Sequence, residues 1–485
     1  MRATASLEVG ATAIRGMHSH RSLVPWFALS VASALPAQSL GCHDLQAIAP
    51  ISQSLVAASP VFGRHAVRLE LPSVLLYEQS FGAFGPTTVV PIASATKTLS
   101  AALLMSLVDT GHVSLDDTVA QYLPEWNVGA KASITLRMCF SHTAGMVDGD
   151  PLISDDTVTL RQAAAQLANV PLRFAPGSTF EYGGVSMHVA GAVCEVATGQ
   201  AWSTLFEQRI ATPLQMTATD FFAFGPTLNP RIAGGARSNL REFARFMAML
   251  RDDGVWNGVQ VLSAASVQEL LTAQTVGIPV AGSPHPYGAP YGIGIWIDRR
   301  DSQGRTVFAS GVGAFGFAGW VDRAHDLSGT FAIQYFNQTS YPYLERIFAA
   351  IDAAVLPAGI TCVGSPSPGC VPGAWLNATL PATTGNADFA LRADRLLPLQ
   401  AGAFVLGTPT PGGVPIGDLV SFVGRDFAIA LFGNADAAGR VVVPVPLVGL
   451  PAGSSFGLQT VWLGSDPCLS LGLQASHAVR LDVLP

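Results

Sequence analysis

Charge is the scarcest property of this 485-residue chain: 26 Lys+Arg and 33 Asp+Glu make up only 12% of it, about half the share of an ordinary globular protein. Lysine is rarer still. Only Lys97 and Lys131 occur, so nearly every basic residue is an arginine. The net charge of −7 provides no electrostatic footprint for nucleic acid. Long hydrophobic runs are missing too, although apolar residues reach 49% and mean hydropathy is +0.38. Beyond the N-terminus no stretch approaches the roughly 18 breaker-free apolar residues that a membrane-spanning helix needs. The charge-free tail segment 396–417, for example, is broken by Pro398, Pro409, Pro411 and Pro415. No CxxC pair and no Cys/His cluster has zinc spacing, so neither a metal nor a cofactor is expected. Aliphatic and aromatic residues are plentiful, which excludes a disordered chain.

What is present begins with a leader. A basic start at Met17-His-Ser-His-Arg21 precedes the short apolar run Leu23–Ala34, with Ala32, Ala34 and Ala37 as cleavage positions. Residues 1–37 therefore read as a signal peptide and leader, which implies export to the periplasm, the cell surface or the medium and leaves no transmembrane segment. Cys42 has Ser39 three residues upstream, so a lipoprotein is not expected. Export permits disulfides, and six cysteines (Cys42, Cys139, Cys194, Cys362, Cys370 and Cys468) allow fifteen complete pairings. Cys362 and Cys370 flank a Gly/Ser/Pro loop and could pair with each other or with Cys468. Cys139 and Cys194 lie in apolar segments and read as buried thiols.

The composition changes near residue 358. Up to that point helical and strand patterns alternate, as expected of a single α/β (α+β) domain over 38–358. Thr96–Asp109 reads as an apolar helix stopped by Gly111, a left-handed cap. Leu160–Leu167, Val189–Ala197 and Asn239–Arg251 read as further helices; Tyr291–Trp296, Val307–Ala309 and Phe331–Phe336 read as strands. From Gly359 onward lysine and glutamate are absent, and short apolar runs alternate with Gly, Pro, Asn and Asp. That pattern points to an all-β, sandwich-like region over 359–485, with Ser365–Gly369 as linker or first loop.

The most informative segment is Pro91–Met105. Ser94 stands at the start of the apolar helix, and Lys97 follows one turn later on the same face. A lysine held neutral beside a serine hydroxyl can take its proton, which arginine cannot do. The first backbone N–H groups of such a helix also point toward an oxyanion. An idle lysine inside an apolar helix would be costly to bury.

From these residues the chain resembles the serine β-lactamase and penicillin-binding-protein superfamily, in particular class C β-lactamases and family VIII carboxylesterases. The likeness continues in order over residues 60–356. Gly111–Asp117 is similar to a Gly-x-Leu-x-Leu-Asp-Asp turn, and Ile134–Gly145 to an Ile-Thr-Leu-x-x-Leu-Leu-x-His-Thr-Ser-Gly segment. Pro176–Tyr182, Pro213–Met216, Ala233–Gly235 and Tyr291–Trp296 follow. The resemblance implies a β-lactamase/transpeptidase-like fold, Ser94 as nucleophile, and Tyr182 as the tyrosine of a Tyr-x-Asn motif that holds or relays the proton with Lys97.

Two departures stand out. Gly184 occupies the place of the asparagine that usually holds a substrate amide. The strand motif Lys-Thr-Gly or His-x-Gly is replaced around Ser310 and Gly311, so the cation that would bind a substrate carboxylate is lost. Gly313 or Ala314 can still offer a backbone N–H as the second half of an oxyanion hole, beside that of Ser94. Both departures favour a neutral ester over a β-lactam or a D-Ala-D-Ala peptide.

Other motifs lead elsewhere. Gly311–Gly316 fits G-x-G-x-x-G, but a strand-like segment follows where a dinucleotide site needs a helix. Gly453–Gly457 fits G-x-S-x-G, but Ser455 lies in the β-rich tail without strand–turn–helix context. His142 is expected to hydrogen-bond backbone, and His188 to pack on its helix. The expected partner is a small-molecule ester or amide, with cell-surface attachment through the tail. The rival from another class is a binding protein that has lost catalysis.

Overall fold

The computed structural model describes residues 43–285, 290–363, 375–394, 396, 399–416, 419–463, 473–476 and 478–485. The chain separates into Met1–Ala37 and Gln38–Pro485. The leader, Cys42, Cys370, Cys468 and the segment Ser365–Gly369 all lie outside the described residues.

Alternating apolar residues build the central sheet. Strands β1 (His65–Leu71), β2 (Val74–Phe81), β3 (Trp296–Arg300), β4 (Thr306–Val312), β5 (Ala318–Asp322) and β6 (Leu327–Ile333) lie in the order β2-β1-β6-β5-β4-β3. Every pairing in this sheet is antiparallel. The helix–strand alternation therefore takes the α+β form. β6 is buried at every position, because helices cover both faces of the sheet.

On one face, Val67, Leu69 and Phe331 pack against Leu55 of helix α1 (Ile48–Ala58) and against Ile347 and Ile351 of a long helix, Asn337–Ala354. On the other face, Ala66, Ala309, Val321 and Ala332 join the larger core. That core holds α2 (Thr96–Asp109), α3 (Val185–Thr198) and α4 (Leu240–Arg251); the long helix Asn337–Ala354 is α5. Helix α2 is buried at every residue from Thr96 to Leu107, as befits a helix apolar around its whole circumference. Each of its fully buried leucines, such as Leu99 and Leu103, contributes roughly 1.5–3 kcal/mol. The helix stops where expected, with Gly111 at φ +69°.

Three local expectations are revised. α3 starts four residues before Val189. β6 ends at Ile333, short of Phe336. The stretch 293–295 is a bend, and within 291–296 the pairing is a single bridge between Tyr291 and Trp296. The glycines of 291–296 serve close backbone approach and not strand pairing: a Cβ at Gly292 would stand 2.4 Å from the Leu270 carbonyl oxygen, and Gly294 abuts α2. Gly294 has φ +73°, and a Cβ there would stand 2.6 Å from the Lys97 carbonyl oxygen.

After α5 the chain becomes strand-rich. β7 (Ile360–Val363), β8 (Trp375–Ala378), β9 (Ala390–Asp394), β10 (Ala401–Ile416), β11 (Leu419–Asn434), β12 (Val441–Pro444), β13 (Ser455–Leu463), β14 (Leu473–Ala475) and β15 (Ala478–Asp482) form two sheets. One runs β7-β15-β13-β10-β11, with β14 on β13; the other runs β8-β9-β12. Leu376, Leu391 and Val441 of the smaller sheet share a core with Phe404, Leu458, Trp462 and Leu481 of the larger, which is the layout of a sandwich. Among the described residues no helix is long and apolar enough to cross a membrane.

Candidate active site

Ser94 is presented by a strained turn. The two-residue strand Val90–Pro91 pairs with Arg237–Ser238, and the Ile92 N–H donates to the Ala236 carbonyl at 3.0 Å. Ala93 then takes φ +46°, a left-handed conformation that costs a residue with a Cβ of order 1–3 kcal/mol. Ser94 follows in a single helical turn, Ala93–Ala95, that runs directly into α2. In this first turn the Ser94 N–H has no intrahelical acceptor.

One turn on, Lys97 is 4% exposed. Its Nζ donates to Ser94 Oγ at 3.2 Å and to the Ala233 carbonyl at 3.0 Å. It also lies 4.5 Å from the centroid of the Tyr182 ring. The segment 232–236 is fastened along α2 by further bonds: Ser100 Oγ donates to the Ile232 carbonyl at 2.6 Å, and the Ala236 N–H donates to Thr96 Oγ1 at 3.1 Å.

Tyr182 comes from a different part of the chain. It follows the short strand Phe180–Glu181, and its N–H donates to the Gly282 carbonyl at 3.0 Å. Its ring stacks on Trp296 with centroids 5.1 Å apart, and lies 4.7 Å from His142 and 5.8 Å from Tyr291. Its hydroxyl has no hydrogen-bond partner among the described residues. The three residues singled out in the sequence therefore converge on one cavity of about 300 Å³.

His142 does not bond backbone through its ring, contrary to expectation. Among the described residues neither buried ring nitrogen has a hydrogen-bond partner, because the residue sits at φ +59° with its ring enclosed by Phe180, Tyr182 and Tyr291. Burial, and secondarily the charge of Lys97, holds its pKa well below the usual histidine range. Burial and the neighbouring Tyr182 push the Tyr291 phenol well above its ordinary value. Neither group is set up to exchange protons near neutral pH. His188 lines the cavity, its Nε2 is 2.8 Å from Asn229 Oδ1, and burial lowers its pKa to about 4.

Of the two departures, the one at Gly311 has a steric explanation. At Gly184, whose N–H donates to Asp148 Oδ1 at 2.7 Å, a Cβ would meet Ile153 Cδ1 at 3.3 Å and Ala233 Cβ at 3.5 Å. The first contact asks for a shift of a few tenths of an ångström at the flexible end of Ile153 and the second is ordinary van der Waals contact, so the backbone spacing does not by itself bar a side chain at this position. At Gly311 a Cβ would stand 2.5 Å from Thr98 Oγ1, so β4 runs too close to α2 for a cationic side chain at that position. Ser310 is buried and is not part of the cavity lining.

Gly313 abuts the nucleophile turn, with its virtual Cβ 2.1 Å from the Ile92 carbonyl oxygen. Its own N–H, however, donates to the Phe317 carbonyl at 2.8 Å. Gly313 is therefore excluded as an oxyanion donor, because the hairpin turn has already consumed its N–H. Ala314, whose carbonyl accepts from the Asn337 N–H at 2.9 Å, keeps an unpartnered N–H among the described residues; like Ser310 it is not part of the cavity lining, and it stays the candidate for the second donor.

Asp148, Phe224 and Arg231 are among the lining residues that carried no signal in the sequence. Nothing in their local spacing ties them to Ser94, and only the fold brings them there. Elsewhere, Asp322, His325 and Asp352 cluster with metal-like spacing. Arg299 reaches Asp322 at 3.4 Å and Asp352 at 3.1 Å, and His325 Nδ1 lies 2.7 Å from Asp322. The arginine already supplies the positive charge there, so the cluster reads as ion pairing between the sheet and α5.

The Beta-lactamase family model matches residues 74–354, more than half of the chain. The esterase EstB of Burkholderia gladioli is 31% identical over 191 residues, which cover 36% of this chain and 48% of that esterase, so the match spans about half of its length. A crystal structure of a β-lactamase candidate from Bacteroides dorei is 27% identical, with TM-score 0.58, over 64% of this chain and 99% of that one. A family VIII carboxylesterase shares the fold, with TM-score 0.51 and 17% identity, over 63% of this chain and 97% of that one. With Ser94, Lys97 and Tyr182 gathered at one cavity inside the matched region, the chain belongs to the Beta-lactamase family of serine hydrolases.

Proposed function

We propose that the protein is an exported carboxylic-ester hydrolase working through an acyl-enzyme on Ser94. The observation that carries this reading is the 3.2 Å contact between Lys97 Nζ and Ser94 Oγ, inside a cavity shared with Tyr182. In the first step Ser94 Oγ bonds to the ester carbonyl carbon while its proton passes to Lys97, which accepts it only in its neutral form. The oxyanion is held by the N–H groups of Ser94 and Ala314. The C–O bond to the alcohol then breaks, and the proton returns to the alcohol through Lys97 and the Tyr182 hydroxyl. Water repeats the sequence on the acyl-enzyme, releasing the acid and restoring the serine.

Esters are favoured over β-lactams because position 184 has no amide to hold a substrate amide, and Gly311 leaves β4 without a cation. Neutral esters are the expected baseline substrates. The esterase name of the Burkholderia relative fits this choice. Export is supported by Cys362, which is disulfide-bonded, since disulfides persist in oxidising compartments. The strand-rich region after residue 358, with its own core, is proposed as an attachment module. Binding of the full chain to envelope fractions tests that role.

Labelling with a fluorophosphonate tests the catalytic reading. The parent should be labelled and Ser94→Ala should not. An unlabelled parent would leave a binding protein, and equal labelling of both would remove Ser94 as the nucleophile. A panel of p-nitrophenyl esters, nitrocefin and a D-Ala-D-Ala peptide then assigns the substrate, and preferential nitrocefin turnover would overturn the ester assignment.

A further inference from the structure

The cation missing from β4 reappears elsewhere on the cavity lining. Arg231 lines the same cavity as Ser94, Lys97 and Tyr182. Its guanidinium stands 4.2 Å from the ring centroid of Phe224, a side chain that is 51% exposed. Among the described residues no carboxylate pairs with Arg231. Its neighbours in sequence behave differently: Arg237 pairs with Asp220, and Arg241 with Glu78. The sole carboxylate on the lining, Asp148, faces the Gly184 N–H at 2.7 Å.

The backbone that carries Arg231 is fixed relative to the reacting centre. Its carbonyl accepts from the N–H groups of Gly234 at 3.0 Å and Gly235 at 2.7 Å, closing a tight turn. Within that turn Ile232 is bonded to Ser100, and Ala233 to Lys97. An unpaired guanidinium, backed by an aromatic ring and tethered two residues from the acceptor of Lys97, is equipped for bidentate recognition of a carboxylate.

We propose that Arg231 determines specificity by receiving a free carboxylate on the substrate, so that esters carrying a second, unesterified carboxylate are hydrolysed in preference to neutral ones. This rests on the ester-hydrolase reading above and refines its neutral baseline. The carboxylate can sit on the acyl part or on the alcohol, and the substrates must separate the two. p-Nitrophenyl hemiglutarate against p-nitrophenyl butyrate probes the acyl side; 4-carboxyphenyl butyrate against its methyl ester probes the alcohol side.

The readout is the ratio of kcat/KM for the anionic over the neutral ester in each pair, for the parent, Arg231→Gln and Arg231→Lys. A charge-assisted bidentate contact predicts that Arg231→Gln lowers the ratio about tenfold or more in one pair. Arg231→Lys should retain part of it, and added salt should lower the ratio in the parent more than in Arg231→Gln. Ratios unchanged in both pairs, with Ser94 still labelled by fluorophosphonate, would sink the role of Arg231 alone. No hydrolysis of any ester and no labelling of Ser94 would overturn both readings.

Discussion

Replacing Lys97 is the most direct test of the mechanism, and two variants separate its roles. Lys97→Arg keeps the positive charge and the donors for the Ala233 carbonyl, but arginine stays protonated and cannot accept a proton from Ser94. Lys97→Met keeps much of the side-chain length but removes the charge. In the structure Nζ makes two hydrogen bonds, at 3.2 Å to Ser94 and 3.0 Å to Ala233, and lies over the Tyr182 ring. Losing the buried bond to Ala233 is worth roughly 1.5–3 kcal/mol, and the ring contact about 0.5–2 kcal/mol. Release of a buried charge offsets part of this, so Lys97→Met should remain folded with a Tm lowered by several degrees. Loss of the proton acceptor should lower kcat/KM for p-nitrophenyl butyrate about 10²–10⁴-fold in both variants. Stopped assays at 25 °C, with Tm measured on the same samples, keep the two effects apart. If Lys97→Arg retained activity within about threefold of the parent, the reasoning that makes Lys97 the proton acceptor would be wrong.

Two further predictions follow from packing and burial. Gly313→Ala places a Cβ against the Ile92 carbonyl, 2.1 Å away where the backbone now stands. The nucleophile turn must shift, so fluorophosphonate labelling of Ser94 should slow at least about tenfold with the fold retained by circular dichroism; unchanged labelling would show that the turn yields without moving Ser94. His43, His65 and His188 are held neutral by burial, each lowered from 6.5 to about 4. Because the unfolded chain binds these protons first, stability falls as pH drops from 6.5 toward 4. Each histidine contributes a loss of about 2 kcal/mol by pH 5; a urea midpoint that does not move between pH 7 and pH 5 would contradict their burial as neutral groups.

The legible parts of the fold were those governed by neighbours in sequence. The i, i+3 spacing of Ser94 and Lys97 puts both on one helical face wherever that helix lies. Gly111 ends α2 because left-handed backbone suits glycine, and Asn239 begins α4 by accepting from the Glu242 N–H at 3.0 Å. The composition change near residue 358 marked the strand-rich region because repeated breakers forbid long helices. Misreadings arose where long-range contact overrode local pattern. The glycines at 292 and 294 looked like the alternation of a strand, yet Gly294 is set by the Lys97 backbone it touches. His142 looked ready to bond backbone, yet three aromatic rings from two distant segments enclose it.

Local sequence is enough to set a serine and one of only two lysines one turn apart at the head of an apolar helix. Helical geometry makes that pair inevitable once the helix forms. Tertiary structure alone decided what surrounds it: Tyr182 brought in under Lys97, the Gly313 N–H spent on a hairpin turn, β4 pressed too close to α2 to carry a cation, and Arg231 set unpaired on another part of the lining. Those outcomes depend on which backbones meet, and contacts between residues far apart in the chain leave no periodic trace in the sequence.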